Sequence, residues 1–126
     1  MSETDSPRVR RWLATGRTAT SRLSAVEIAS ALARRCREGV FVVKERDRAL
    51  GALEADFSAL FVVELSAPVV AAAQALLVRH PLRAGDAIQL ASALLLRREL
   101  NEEVSFAAYD DRVKAAAKAE ALAVVP

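Results

Sequence analysis

The sequence predicts a single α/β domain in which a parallel sheet is flanked by helices. Three observations support this fold class. The 126 residues suit one domain, since domains commonly run to ~150 residues. Short β-rich segments alternate with longer helical ones, as in βαβ units with helices on both faces of a sheet. Finally, residues 82–96 form a helical segment that is apolar nearly all round, and such a helix has to be buried in the middle of the fold.

The individual elements follow from local start and stop signals. Proline in the first turn, glycine after the last turn and capping Ser or Asp mark helix ends, whereas short β-branched or aromatic runs mark strands. Cys36, the single cysteine, lies on the apolar face of a predicted helix and is expected to be a core thiol. In chain order the sequence predicts a helix over Arg8–Ala14, a strand over Thr18–Thr20, helices over Leu23–Glu38 and Lys44–Leu60, a strand over Phe61–Leu65, a helix over Ala67–Arg79, the buried helix from Leu82 to about Asn101, a strand over Ser105–Tyr109, a helix over Asp110–Ala121 and a strand over Leu122–Val125.

The composition limits the kinds of partner that the protein is expected to bind and the cell compartment in which it is expected to lie. The net charge is +2, but the pI is 9.1 and most basic residues are arginine, which permits a polyanionic partner. Aromatic residues make up only 5% of the chain, which argues against a platform that stacks single-stranded bases. The apolar stretches fall short of the ~18 residues that a membrane span requires, and the polar residues 1–7 do not resemble a signal peptide. We therefore expect a cytoplasmic protein that does not bind membranes.

Three carboxylates stand apart from the other charged residues. Glu27 is the only charge between Arg22 and Arg34 and has no oppositely charged helical neighbour. Asp86 opens the buried helix. Asp110 directly follows a predicted strand, at the carboxyl end where open parallel sheets place their sites. Carboxylates without nitrogen or sulfur ligands suit Mg²⁺ or Mn²⁺, which would orient a water and stabilise charge on a scissile phosphodiester.

Each of these residues also has a purely structural interpretation. Asp86 could serve only to stabilise the positive end of a helix, Glu27 could be a solvated surface residue, and Asp110 could be an N-cap. His80 precedes a proline and is expected to be a turn residue, and without a second histidine or cysteine the sequence does not indicate a zinc site. There is no glycine-rich phosphate loop and no Gly-x-Ser-x-Gly motif.

Three blocks of the sequence resemble a PIN-domain ribonuclease of the VapC toxin type. They are Ala19–Leu32, His80–Leu94 and Val104–Val113, which stand in the order found in the family and, with the helices between them, cover nearly the whole chain. The resemblance implies a PIN-like three-layer fold and Mg²⁺-dependent cleavage of RNA. It assigns Glu27, Asp86 and Asp110 as the catalytic and metal-binding acids.

The same resemblance carries expectations about substrate and partners. Ser21, Arg83 and Arg112 lie within the three blocks and are expected to contact the RNA substrate. Proteins of this type are usually toxins held in check by a small antitoxin, so a VapB-like antitoxin is the expected protein partner.

The chain departs from the family at its N-terminal end. Family members normally begin with an apolar strand that ends in an aspartate, the first metal ligand, whereas Asp5 has no apolar run before it. Either Met1 is a misassigned start or the chain is an N-terminally truncated member, and for this chain we expect weak Mg²⁺ binding and low or absent ribonuclease activity. In the family that first strand lies between the strands predicted at Thr18–Thr20 and Ser105–Tyr109. Without it these two strands should not pair directly, which leads us to expect a homodimer or a marginally stable monomer.

Two other functions remain open at this stage. One is a non-catalytic interaction module that uses the same fold to bind an antitoxin-like helix or to dimerise. The other is a flavodoxin-like signalling domain, in which an aspartate at a strand end accepts phosphate. No lysine follows late in the chain at a strand end, which makes the signalling domain the weaker alternative.

Overall fold

The computed structural model describes residues 18–125, so the helix predicted over Arg8–Ala14 lies outside the described residues. Helices and short strands alternate within this range, which confirms the α/β prediction. The elements are β1 (Ala19–Ser21), α1 (Leu23–Arg37), α2 (Val43–Ser58), β2 (Phe61–Val63), α3 (Ala67–Arg79), α4 (Ala84–Leu100), β3 (Ser105–Phe106), α5 (Asp111–Ala119) and β4 (Ala123–Val124).

Helix α4 forms the centre of the core, as its apolar sequence predicts. Ala87, Leu90 and Ala91 are completely buried, because no charged side chain interrupts the helix between its first and last turns. Helix α3 packs along it and buries Leu76 against the same core. The helix ends at Asn101, which adopts a left-handed conformation with φ of 52° and so stops the chain from continuing as a helix.

Polar contacts fix both ends of α3. At its start the Ser66 hydroxyl accepts a hydrogen bond of 3.4 Å from the Val69 N–H, which caps the helix. At its end His80 Nε2 lies 2.7 Å from Glu120 Oε2, and Arg79 donates two hydrogen bonds to the same carboxylate. His80 thus joins the end of α3 to the end of α5, which agrees with its predicted structural role.

The predicted parallel pairing is confirmed within residues 18–125, but the strands form two sheets instead of one. Residues 18–125 contain two separate two-stranded parallel sheets, one formed by β1 and β2 and the other by β3 and β4. Thr20 is opposite Val62 in the first sheet, and Phe106 is opposite Val124 in the second. Strand β1 has the predicted length, whereas the other three strands are shorter than predicted. Among the described residues β3 pairs only with β4, which is two residues long, and β3 accordingly ends at Phe106.

The two sheets face each other across a groove. It has a volume of about 600 Å³ and is lined on one side by residues 18–21 and on the other by residues 102–107, with Ala93 and Leu96 of α4 also contributing. Strands β1 and β3 do not pair with each other among the described residues, as the sequence analysis predicts.

Helices α1 and α2 pack chiefly on each other, and α1 also contacts α4. They contact each other and the β1–β2 sheet, but neither contributes a buried residue. Cys36 is consequently only half-buried, and the prediction of a core thiol is wrong. Among residues 18–125, no helix combines the length and apolarity needed to cross a membrane.

Candidate metal site

Glu27 reaches from α1 to the beginning of α4. Helix α1 starts directly after β1, where the Ser21 hydroxyl accepts a hydrogen bond of 3.1 Å from the Leu23 N–H. One carboxylate oxygen of Glu27, Oε1, accepts a hydrogen bond of 2.7 Å from Gln89 Nε2. The other, Oε2, lies beside Gly85, only 3.0 Å from where a Cβ at that position would stand. The carboxylate therefore rests against the first turn of α4, in a space that any other residue at position 85 would partly fill.

Asp86 belongs to the same turn of α4. It is the acidic residue of that turn and is half-buried, and its negative charge is favoured by the unpaired N–H groups at the start of the helix. Glu27 and Asp86 thus offer carboxylate oxygens at one end of one helix. Mg²⁺ and Mn²⁺ prefer oxygen ligands and are commonly held by one or two carboxylates plus water, so this pair of carboxylates suits such an ion.

Asp110 has a different role in the structure. It is the N-cap of α5, where its side chain accepts a hydrogen bond of 2.8 Å from the Arg112 N–H. No hydrogen bond or ion pair joins it to Glu27 or Asp86, and residues 18–125 contain no group of three acidic, histidine or cysteine side chains arranged to hold a metal ion. The structure therefore brings two of the three predicted acids to one turn of α4 and uses the third as a helix cap.

Comparison with known families identifies the fold. The sequence matches the PIN domain family over residues 2–121. The chain belongs to the PIN domain family. PIN domains are metal-dependent nucleases that typically bind divalent metals. No curated protein matches this PIN domain.

The three residues predicted to bind substrate lie in different surroundings of the PIN domain. Arg83 is exposed and immediately precedes α4, next to the turn that carries Asp86. Arg112 is exposed at the start of α5, with Nε 3.8 Å from Asp110 Oδ1. Ser21 is buried at the end of β1, where it lines the groove between the sheets. Only Arg83 therefore lies beside the turn that gathers Glu27 and Asp86.

A further acid near the sheet is already paired. Glu64 follows β2 and accepts two hydrogen bonds from Arg22, of 2.8 Å from Nε and 2.7 Å from Nη2. These bonds hold the pKa of Glu64 below its usual range and raise the pKa of Arg22. Because both of its oxygens face a guanidinium, Glu64 is a poorer candidate for a metal ligand than Glu27.

Gln89 was missed by the sequence analysis. Its amide contacts Glu27 across 62 positions of sequence, a distance at which no helical spacing rule operates. A signal was nevertheless available, because Gln89 and Ser92 are the only polar side chains of α4 between Asp86 and Arg97. A polar residue on an otherwise apolar buried helix requires a hydrogen-bonding partner.

Proposed function

We propose that this PIN domain is a Mg²⁺-dependent endoribonuclease of the VapC-like toxin type, with low activity. The observation that carries the proposal is the Glu27 carboxylate lying against the α4 turn that contains Asp86, in a chain that belongs to a family of metal-dependent nucleases. Two acids at one helix end, instead of a larger cluster, support weak metal binding and slow cleavage.

In this proposal each acid has a defined task. Glu27 and Asp86 would hold Mg²⁺ or Mn²⁺ through their oxygens, and Asp110 would be the third acid of the site. When bound, the ion supplies Lewis-acid chemistry: it lowers the pKa of a water and neutralises charge on the scissile phosphate. Arg83 is placed next to the same turn and binds a neighbouring phosphate of the RNA, a role that suits the planar, permanently charged guanidinium. Ser21 and Arg112 are the further substrate contacts of the proposal.

The proposal includes the setting in which such an enzyme works. In this proposal the enzyme is a cytoplasmic toxin that forms a homodimer, is inhibited by a small VapB-like antitoxin and has no membrane partner. The toxin role and the antitoxin are supported by the sequence resemblance, the compartment by the composition, and the homodimer by the strand edges on the two sides of the groove.

Cleavage of labelled RNA by the purified chain tests the proposal. We expect slow cleavage with Mg²⁺ or Mn²⁺ and none with EDTA. Asp86→Asn and Glu27→Gln should each lower the rate by ~100-fold or more, or to background, because each removes a charged oxygen ligand. Asp56→Asn, which changes an exposed acid on α2, is the matched control and should leave the rate unchanged. Cleavage that is independent of metal, or equally fast in Asp86→Asn, would contradict the proposal.

One observation favours a second function, a non-catalytic interaction module. The Asp110 carboxylate already caps α5, so the third acid is engaged in a structural role. A protein that neither cleaves RNA nor binds Mn²⁺, yet forms a dimer by sedimentation, would support this alternative over the nuclease.

A further inference from the structure

The amide of Gln89 connects two elements through two hydrogen bonds. Gln89 Nε2 donates to Ser24 Oγ at 2.9 Å and to Glu27 Oε1 at 2.7 Å. A primary amide carries two hydrogens, so both bonds can form at once. Ser24 Oγ in turn lies 2.8 Å from Thr20 Oγ1. A continuous chain of side chains therefore runs from strand β1 through α4 to the carboxylate of Glu27.

Gly85 shapes the other side of the same carboxylate. A Cβ at position 85 would stand 3.0 Å from Glu27 Oε2 and 3.7 Å from the Leu23 side chain. The first distance is shorter than ordinary van der Waals contact, so an alanine there would push the carboxylate away from the helix. One oxygen of Glu27 is thus held by Gln89, and the other occupies space that only glycine leaves free.

Without these contacts Glu27 would be poorly fixed. It is an exposed residue of α1 with no charged partner on its own helix, and a free glutamate side chain samples many rotamers. A ligand that must first be ordered binds a metal ion more weakly than one that is already in place, and residues that orient ligands typically contribute 10–100-fold in metal affinity.

We propose that Gln89 and Gly85 are positioning residues for metal binding. Gln89 holds Oε1 of Glu27, which leaves Oε2 directed at the α4 turn that carries Asp86, and Gly85 provides the space for this arrangement. This inference rests on the proposed function, because it assumes that Glu27 and Asp86 bind the ion.

Mn²⁺ binding to the full chain, followed by electron paramagnetic resonance of the free ion, tests the inference without an activity assay. Gln89→Leu and Gly85→Ala should each weaken Mn²⁺ binding by ~10-fold or more. Gln74→Leu, an exposed glutamine on α3, and Gly51→Ala, an α2 glycine with open space around a Cβ, are the matched controls and should bind Mn²⁺ like the original chain.

Thermal unfolding of the same variants separates positioning from folding. Alanine is favoured over glycine inside a helix, so Gly51→Ala should raise the melting temperature. Gly85→Ala should keep the melting temperature at or above that of the original chain while it loses Mn²⁺ affinity. A Gly85→Ala variant whose melting temperature and Mn²⁺ affinity fall together would overturn the inference, because the loss of affinity would then reflect reduced stability.

Nuclear magnetic resonance supplies a second readout. On addition of diamagnetic Mg²⁺, the side-chain amide signals of Gln89 should shift, because this amide is hydrogen-bonded to a ligand carboxylate. The shift should vanish in Glu27→Gln, whereas the Gln74 amide signals should stay in place throughout. Gln89 signals that do not respond to Mg²⁺ in a chain that binds it would also overturn the inference.

The outcomes distinguish this inference from the proposed function. If Asp86→Asn abolishes Mn²⁺ binding but Gln89→Leu and Gly85→Ala do not weaken it, the positioning role is wrong and the metal site stands. If the original chain binds no Mn²⁺, the proposed function fails and the positioning role fails with it.

Discussion

At the scale of single residues, Glu120 is one of the carboxylates that make the stability depend on pH. Hydrogen bonds from Arg79 and His80 lower the pKa of this carboxyl from its ordinary value of 4.5. A group with a lowered pKa in the folded state stabilises the protein fully above its unfolded-state value, and this contribution is lost as the pH falls through the folded-state value. We therefore expect the free energy of unfolding to decline below pH 4.5.

Urea unfolding of Glu120→Gln measures this contribution. The variant should lose about 1 kcal/mol at neutral pH, a modest figure because Arg79 is half exposed and solvent screens the pair. Its free energy of unfolding should also decline less steeply below pH 4.5, since one of the titrating carboxyls with a lowered pKa is gone. Glu54→Gln, at an exposed position on α2, serves as the control. An acid decline that is as steep in Glu120→Gln as in the original chain would assign the pH dependence to other carboxyls.

The candidate site shows what sequence reasoning can and cannot reach at this scale. Glu27 could be selected because it is the only charge between Arg22 and Arg34, and Asp86 because it opens the apolar helix. Their partner could not, because Gln89 meets Glu27 only after α1 and α4 have packed together. The capping role of Asp110 was foreseen as one of two interpretations, because an aspartate directly before a helix satisfies a local hydrogen bond whatever the rest of the fold does.

At the scale of elements, helix boundaries were predicted best. The observed bounds of α3, Ala67–Arg79, are those predicted, because Ser66, Pro68 and the His80–Pro81 pair are local signals that act through the backbone itself. The burial of α1 was predicted poorly. An apolar stripe shows which side of a helix would face a core, but not how much other protein is available to cover it.

Leu90 tests how far the fold depends on α4. This side chain is completely buried, so Leu90→Ala should cost ~2–5 kcal/mol through lost burial and the cavity left behind. Val78→Ala on α3 removes apolar atoms from a side chain that is 88% exposed and should change the free energy of unfolding by less than ~0.5 kcal/mol. Thermal or urea unfolding of the two variants gives the comparison. Similar small losses in both would mean that α4 is not the centre of a tightly packed core.

At the scale of the whole molecule, the sequence predicted parallel strands and no direct pairing between the strands at Thr18–Thr20 and Ser105–Tyr109, but not which strands become partners. Alternating elements indicate that strands run parallel, but which strands become neighbours depends on contacts between distant segments. The hydrogen bonds show the consequence. The Phe106 carbonyl accepts a hydrogen bond from the Val125 N–H, and the Thr18 carbonyl accepts one from the Phe61 N–H. Successive residues of a strand direct their backbone groups to opposite sides. The backbone groups of Ala19, Ser21, Ser105 and Ala107 therefore point away from their own sheets.

These outward backbone groups lie on the two sides of the groove, and we expect a strand from a second copy of the chain to pair with them. An edge strand presents a row of N–H and C=O groups that readily pair with a further strand; Ser21 is buried, whereas Ser105 and Ala107 are exposed. Strand addition from another chain satisfies such edges. The chain should therefore sediment as a dimer, with a melting temperature that rises with protein concentration.

Proline substitutions in β3 test this expectation. Ser105→Pro removes an N–H that faces the groove but leaves the pairing of Phe106 with β4 intact, as is tolerated on the unpaired side of an edge strand. It should weaken the dimer, measured by sedimentation velocity, by at least the roughly fivefold factor that one hydrogen bond of about 1 kcal/mol represents. Phe106→Pro removes an N–H on the side facing β4 and should instead lower the melting temperature at every concentration. A chain that stays monomeric at all concentrations and unfolds cooperatively, with no effect of Ser105→Pro, would show that neither groove edge needs a partner strand.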